Sequence, residues 1–304
     1  SNLSYTEVHR ENMEKNKVAV IGAGLMGNGI AQACATAGYD VVNIDTFEAA
    51  IEKSKATVEK LFSRKVAKGS MTEEKKAEIL GRLTYSQNFE DVKGAFLVVE
   101  AVPEKIEIKK DTFKKVDELA DAETIIVSNT SGLSISEIAS VTNRPDKVMG
   151  AHFFYPAPVM KLLELVRGLV TSDETYDVVK EFAGKIGKTT VDAPEFPGFM
   201  VNRILVPMQN EAAFMVMEGS KPEDVDNAMK LGCNHPMGPV ELTVFVGIDT
   251  MLATMTGLYN GFHDSKYRPC PLLETMVKSG MLGKKTGQGF YKYDEKGNKI
   301  GSNF

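Results

Sequence analysis

The 304-residue chain is 43% apolar and 25% charged, enough hydrophobic surface for a large core, which excludes disordered and fibrous classes. Its formal net charge of -5 and pI near 5.6 give no broad basic surface, so neither nucleic acid nor an anionic membrane is an expected partner, and an anionic ligand must be met by a local cluster. Three cysteines, Cys34, Cys233 and Cys270, lack both the even count of a disulfide frame and the spacing of a metal site, so free thiols in a reducing, cytoplasmic setting are expected and no metal is.

In chain order, residues 1–16 form a polar arm set outside the fold, with Ser1-Asn2 resembling a cloning remnant and Met13 offering a natural start. The arm's glutamates are unlike a signal or transit peptide, and no apolar run reaches the roughly 20 residues of a membrane span. A β-branched strand over 17–21, a glycine-rich turn, a helix over 28–37 and a strand over 41–45 predict an opening βαβ unit with a parallel pair. Residues 48–80, rich in Lys, Glu and Ala and broken at Gly69-Ser70, predict an inserted helical hairpin. Further strands are expected over 96–101, 124–128, 147–151, 161–166 and 189–191, with helices over 106–120, 134–140 and 173–186 between them. This alternation predicts a Rossmann-type, doubly wound, mainly parallel sheet over 17–193. Prolines and glycine at 192–198 then mark a boundary, and an all-helical domain is expected over 194–304. Its many methionines, among them Met200, Met215, Met217, Met251 and Met255, read as filling of a helical core.

The motif Gly22-Ala23-Gly24-Leu25-Met26-Gly27 is G-x-G-x-x-G, placed after a strand and opening a helix. Its first glycine turns the chain, the second admits a pyrophosphate and the third packs helix on strand, with the helix N-terminus facing the anion. Asp45 closes the next strand, where a carboxylate binds a ribose hydroxyl and repels a 2′-phosphate, so NAD is expected over NADP. Ser128-Asn129-Thr130-Ser131-Gly132-Leu133-Ser134 follows another strand; Ser134 with Glu137 reads as a helix capping box, which leaves Ser131 for a ligand. His152 comes at the end of the next strand on the same sheet edge, with Glu164 twelve residues on to hold one ring nitrogen. Asn202, after Pro197-Gly198-Phe199, is either a helix cap or a polar group of the site. Lys53, Lys60, Arg64 and Lys68 share one face of the hairpin helix, either as a solvated face or as a basic patch for an anionic ligand.

These motifs, with His-Pro-Met-Gly-Pro at 235–239 and Gly-Lys-Lys-Thr-Gly-x-Gly-Phe-Tyr at 283–291, resemble the L-3-hydroxyacyl-CoA dehydrogenase family, its bacterial 3-hydroxybutyryl-CoA branch in particular. The resemblance runs from about Lys17 to about Tyr293. It implies an NAD-dependent enzyme interconverting 3-hydroxyacyl-CoA and 3-ketoacyl-CoA, with a short acyl chain preferred. It makes His152 the acid/base and Glu164 its partner, with Ser131 and Asn202 holding the reacting oxygen and acyl portion. Glu104, Lys109 and Lys285 match positions that touch the dinucleotide, and CoA docks near the hairpin, at Arg64 and Lys68. A homodimer through the helical domain is implied, compatible with an apolar stretch around Ala212, Phe214 and Val216. Three positions depart from the family pattern: Tyr155 replaces an Asn on the nicotinamide side of the cofactor, Cys233 a small or hydroxyl residue, and Val244 an Asp. Two other readings compete, a catalytically silent NAD(H)-binding relative and a dehydrogenase of free hydroxy acids or sugar acids.

Overall fold

A computed structural model describes residues 16–304, so the expected arm up to residue 15, Met13 included, lies outside the described residues. Asn16, assigned to that arm, belongs to the fold: its carbonyl accepts from Asp40 N–H at 2.8 Å and its side-chain amide donates to Gly38 O. The chain forms two compact units, one ending at Glu195 and one beginning at Phe196.

The first unit is built on eight strands: β1 (Lys17–Ile21), β2 (Asp40–Ile44), β3 (Leu83–Ser86), β4 (Leu97–Glu100), β5 (Ile125–Ser128), β6 (Val148–Phe153), β7 (Leu162–Arg167) and β8 (Thr189–Ala193). They lie in the order β3-β2-β1-β4-β5-β6-β7-β8. The pairs from β3 to β6 are parallel, β7 runs antiparallel to β6, and β8 runs parallel to β7. The central strands are continuous apolar runs because helices cover both faces of the sheet, and Val18, Val20, Leu97, Val99, Ile125 and Val127 are all fully buried. The helices are α1 (Leu25–Thr36), α2 (Glu48–Ala67), α3 (Glu73–Gly81), α4 (Ile106–Leu119), α5 (Ile135–Ala139) and α6 (Asp173–Lys185). Helices α2 and α3 form the expected hairpin; Gly69 at φ +76° turns the chain, and Thr72 caps α3 by accepting from Lys75 N–H at 3.0 Å.

The second unit contains α7 (Val201–Met217), α8 (Pro222–Gly232), α9 (Pro239–Val246), α10 (Ile248–Phe262) and α11 (Pro271–Lys278) around their own apolar core, and ends in a hairpin of β9 (Tyr291–Tyr293) and β10 (Lys299–Ser302). Among the described residues no single helix is long and apolar enough to cross a membrane; α9 and α10 together are, but they bend by 104° between them.

Several expectations are corrected. Helix α1 starts at Leu25 rather than 28, because Gly24 is its N-cap and the third glycine is already helical. Strand β6 runs to Phe153, so His152 lies inside it rather than beyond its end, and Asn202 is no cap, that position belonging to Met200. Edge strand β3 was not anticipated, since Leu-Thr-Tyr-Ser shows only one fully buried position, and the second unit is not all helical. Ala212 and Val216 fill the helical core, with Phe214 packed against it, while Met215 and Met217, read as core, stand 44% exposed.

Candidate active site

The carboxyl ends of β1, β4, β5 and β6 share one sheet edge, and the strand order reverses between β1 and β4. A ligand crevice lies outside such a switch point. The glycine-rich turn sits there, and its three glycines are not equivalent. A Cβ on Gly22, at φ +102°, would lie 2.5 Å from Ala101 O, and one on Gly27 would lie 1.9 Å from Gly22 O. The fold itself demands both. A Cβ on Gly24 would meet nothing within 4 Å, and its φ of -73° suits any residue. Its lack of a side chain keeps open the space before the α1 N-terminus, where no side chain caps the helix and its N–H groups face an approaching anion.

The turn is held from below. Asn43 donates to Val20 O at 3.0 Å and to Gly22 O at 2.8 Å, and Ser54 Oγ donates to Ala23 O. Asp45 accepts from Ala23 N–H at 2.8 Å through Oδ2 and from Phe47 N–H at 2.9 Å through Oδ1, which fixes a carboxylate beside the turn. An uncapped helix start, an open Gly24 and an anchored Asp45 together fit a dinucleotide pyrophosphate and ribose. Leu25 is 70% exposed at the mouth of the turn, and Met26 is partly buried.

Further along the edge, His152 and Glu164 face each other across the antiparallel β6–β7 pair. Opposed residues of such a pair project from the same face of the sheet. His152 Nδ1 and Glu164 Oε1 are 2.7 Å apart, with His152 7% exposed and Glu164 fully buried. The Phe154 ring lies 4.6 Å from the imidazole. Asn129 Oδ1 accepts from Phe153 N–H at 2.8 Å, tying the end of β5 to the end of β6 beside the histidine.

Ser131, beyond β5, is held by Glu104, whose Oε2 accepts from Ser131 N–H and Ser131 Oγ–H, each at 2.8 Å. Glu104 Oε1 accepts from Thr130 Oγ–H at 2.6 Å and lies 3.9 Å from Lys109 Nζ. Lys109, expected to touch a dinucleotide, is only 2% exposed: its ammonium is held by Glu100 Oε2 at 2.6 Å and Val102 O at 3.0 Å. It therefore backs Glu104 instead of presenting a cation to the crevice. Glu100, fully buried, also accepts from Ser128 Oγ–H at 2.6 Å. Glu100 was not singled out from sequence, and Ser128, Asn129 and Thr130 were read only as part of the motif around Ser131. The available signal was a glutamate closing the apolar strand Leu-Val-Val-Glu, because a charge buried there requires a partner.

Lys53, Lys60, Arg64 and Lys68 are all exposed along α2 and at its end and, among the described residues, carry no ion pair. The neighbouring Lys76 and Lys55 do, with Glu59 and Glu52. Tyr155 is 64% exposed in the loop between β6 and β7. Asn202 and Lys285 lie in the second unit, Asn202 in the first turn of α7 and Lys285 paired with Asp249 at 2.6 Å. Val244 is fully buried in that unit's core and Cys233 is exposed.

Comparison with known proteins adds to this geometry. Residues 17–196 match the family model described as 3-hydroxyacyl-CoA dehydrogenase, NAD binding domain, and residues 198–293 match 3-hydroxyacyl-CoA dehydrogenase, C-terminal domain. The chain is 50% identical over 285 residues to the probable 3-hydroxybutyryl-CoA dehydrogenase of Bacillus subtilis, covering 93% of this chain and 99% of that protein. It is 42% identical to human mitochondrial hydroxyacyl-coenzyme A dehydrogenase over 91% of this chain and 90% of the relative. The crystal structure of (S)-3-hydroxybutyryl-CoA dehydrogenase from Ralstonia eutropha superposes with a TM-score of 0.90 at 47% identity, covering 92% of this chain and 99% of that one.

Proposed function

Since the chain belongs to the 3-hydroxyacyl-CoA dehydrogenase family, we propose that it interconverts (S)-3-hydroxybutyryl-CoA and acetoacetyl-CoA with NAD as the redox partner. The observation that carries the reading is the buried His152–Glu164 pair, 2.7 Å apart, on the same sheet edge as an uncapped glycine-rich helix start. The bound dinucleotide supplies a nicotinamide ring that accepts or gives a hydride. The Gly22–Gly27 turn holds its pyrophosphate and Asp45 its adenosine ribose, which disfavours a 2′-phosphate and hence NADP.

Glu164 accepts from His152 Nδ1–H, which fixes the ring's tautomer and assigns proton exchange to Nε2. In oxidation, His152 takes the C3 hydroxyl proton at Nε2 as the C3–H bond breaks. In reduction, it returns that proton to the 3-keto oxygen. Ser131 and Asn202 are the other polar groups this reading assigns to the site, and Glu104 and Lys285 are further contacts for the dinucleotide. For the anionic CoA moiety, the exposed Arg64 and Lys68 of the hairpin supply the local positive charge that an acidic protein otherwise lacks. We assign residues 17–193 to dinucleotide binding and 194–304 to substrate binding and homodimer formation, for which Ile204, Met215 and Phe245 offer exposed apolar side chains. Three free cysteines favour the cytoplasm.

The variant His152→Gln tests the mechanism, because glutamine can still hydrogen-bond Glu164 but cannot exchange the proton. NADH affinity, measured by fluorescence titration, is expected to be retained while turnover of acetoacetyl-CoA falls by about 10²–10⁴-fold. Turnover close to wild type would overturn the assignment of His152.

A further inference from the structure

The end of strand β6 carries His152, yet strands pair with it on one side only. Towards β5 the ladder joins Ile126 to Val148, Val127 to Met149 and Ser128 to Gly150, and β5 ends at Ser128. Towards β7 the ladder continues, with His152 opposite Glu164 and Phe153 opposite Leu163. The Phe153 N–H, in a residue only 2% exposed, therefore faces the side that β5 has already left. A buried N–H without an acceptor is costly. The Asn129 side chain meets it, its Oδ1 accepting at 2.8 Å, so one amide oxygen stands in for the missing rung.

That rung falls on the peptide group joining His152 to Phe153. Such a group is planar, so a hydrogen bond to its N–H restrains the backbone directly beyond the histidine. Phe154, whose ring lies 4.6 Å from the imidazole, follows at once and is carried by the same restraint. Asn129 is itself anchored from β4: its N–H donates to Glu100 O at 2.9 Å, and the neighbouring Ser128 hydroxyl donates to the buried Glu100 carboxylate at 2.6 Å. Glu164 holds the imidazole by Nδ1 at 2.7 Å but leaves the strand end beneath it to this second support. Proton exchange at Nε2 demands that precision, since a displacement of about 1 Å can cost about 10²-fold in rate.

We propose that Asn129 is a positioning residue for His152, extending the sheet by one side-chain hydrogen bond so that the imidazole is held for proton exchange. The inference rests on the proposed function and deepens it.

The test is a double-mutant cycle on the turnover of acetoacetyl-CoA with NADH, joined to hydrogen exchange at the Phe153 amide. Asn129→Ala is expected to lower kcat by about 10–100-fold and leave NADH affinity and the KM for acetoacetyl-CoA near wild type. Asn129→Asp, which keeps an acceptor of the same reach, recovers most of that loss on the plateau of its own pH profile. In the His152→Gln background Asn129→Ala costs nothing further, because the group it positions is gone. The Phe153 amide exchanges about tenfold faster in Asn129→Ala than in the wild type, the effect of one lost hydrogen bond. If Asn129→Ala does not fold, Asn129→Ser, whose side chain stops short of Phe153, takes its place with the same expectations. The inference is overturned if kcat stays near wild type or falls by the same factor in the His152→Gln background, if NADH affinity falls as much as turnover, or if Asn129→Asp is as slow as Asn129→Ala. Unchanged exchange at the Phe153 amide overturns it as well. Wild-type protein that fails to reduce acetoacetyl-CoA would overturn the proposed function, and the restraint on the His152–Phe153 peptide would then stand or fall on the amide exchange.

Discussion

Glycine carries two different messages within six residues of this chain. At Gly27 an added methyl would lie 1.9 Å from Gly22 O, whereas at Gly24 it would meet nothing within 4 Å. Gly27→Ala is therefore expected to lower stability by about 1–3 kcal/mol, seen as a reduced melting temperature, because helix α1 must move off the turn. Gly24→Ala should leave the melting temperature unchanged and weaken NADH binding, because its Cβ occupies the approach to the helix start. Unchanged NADH affinity in Gly24→Ala would show that no pyrophosphate lies there. The glycine pattern and the place of Asp45 were legible at this scale because they rest on short-range order, whereas the His152–Glu164 pair was read from its residue types and rests on a strand pairing the sequence does not display. Lys109, in the charged run Ile106–Leu119, was taken from the resemblance as a dinucleotide contact, and only the fold reveals that Glu100 lies beneath it.

Individual elements show the same division between local signals and distant partners. The start of α9 is locally signalled by Gly238-Pro239, a glycine N-cap followed by proline in the first turn, although no helix start was read there from the sequence. What satisfies that helix start has no local signal: Asp226 of α8 accepts from Val240 N–H at 2.8 Å and Glu241 N–H at 3.0 Å, and also from the Tyr291 hydroxyl of β9. Gly238 must be glycine, since a Cβ there would lie 2.2 Å from Asp226 Oδ1. Burial pushes the Asp226 carboxyl above its usual range, and the Tyr291 hydrogen bond opposes that shift. Tyr291→Phe removes one donor from a buried carboxylate, with an expected cost of about 1–3 kcal/mol at neutral pH. A carboxyl whose folded pKa is raised holds its proton more tightly when folded, so its contribution to stability grows as pH falls through that pKa. Loss of the tyrosine donor raises the folded pKa further. The deficit of the variant should therefore narrow as pH falls from neutral toward the ordinary aspartate range, as followed by denaturant unfolding. A pH-independent deficit would contradict this account of the cap. The edge strand β3 and the β9–β10 hairpin stayed hidden because short, half-polar segments pair through partners that local periodicity does not reveal.

For the molecule as a whole, the alternation of strands and helices before Pro194 was enough to anticipate a doubly wound sheet, and with it a crevice at the carboxyl edge. The reversal of direction at β7 was not anticipated, because the proline-containing loop 154–161 carries no local sign of antiparallel return. That reversal places Glu164 opposite His152. A net charge of -5 beside an unpaired basic stretch on α2 suits a protein that excludes anions generally and admits one locally. These features converge on one reaction, and the most direct measurement is NADH consumption by the wild-type protein with acetoacetyl-CoA. Free acetoacetate, a longer 3-ketoacyl-CoA and NADPH serve as comparisons. We predict consumption of one NADH per acetoacetyl-CoA, with little or none for free acetoacetate or with NADPH. Absence of consumption with every one of these pairs would contradict the account.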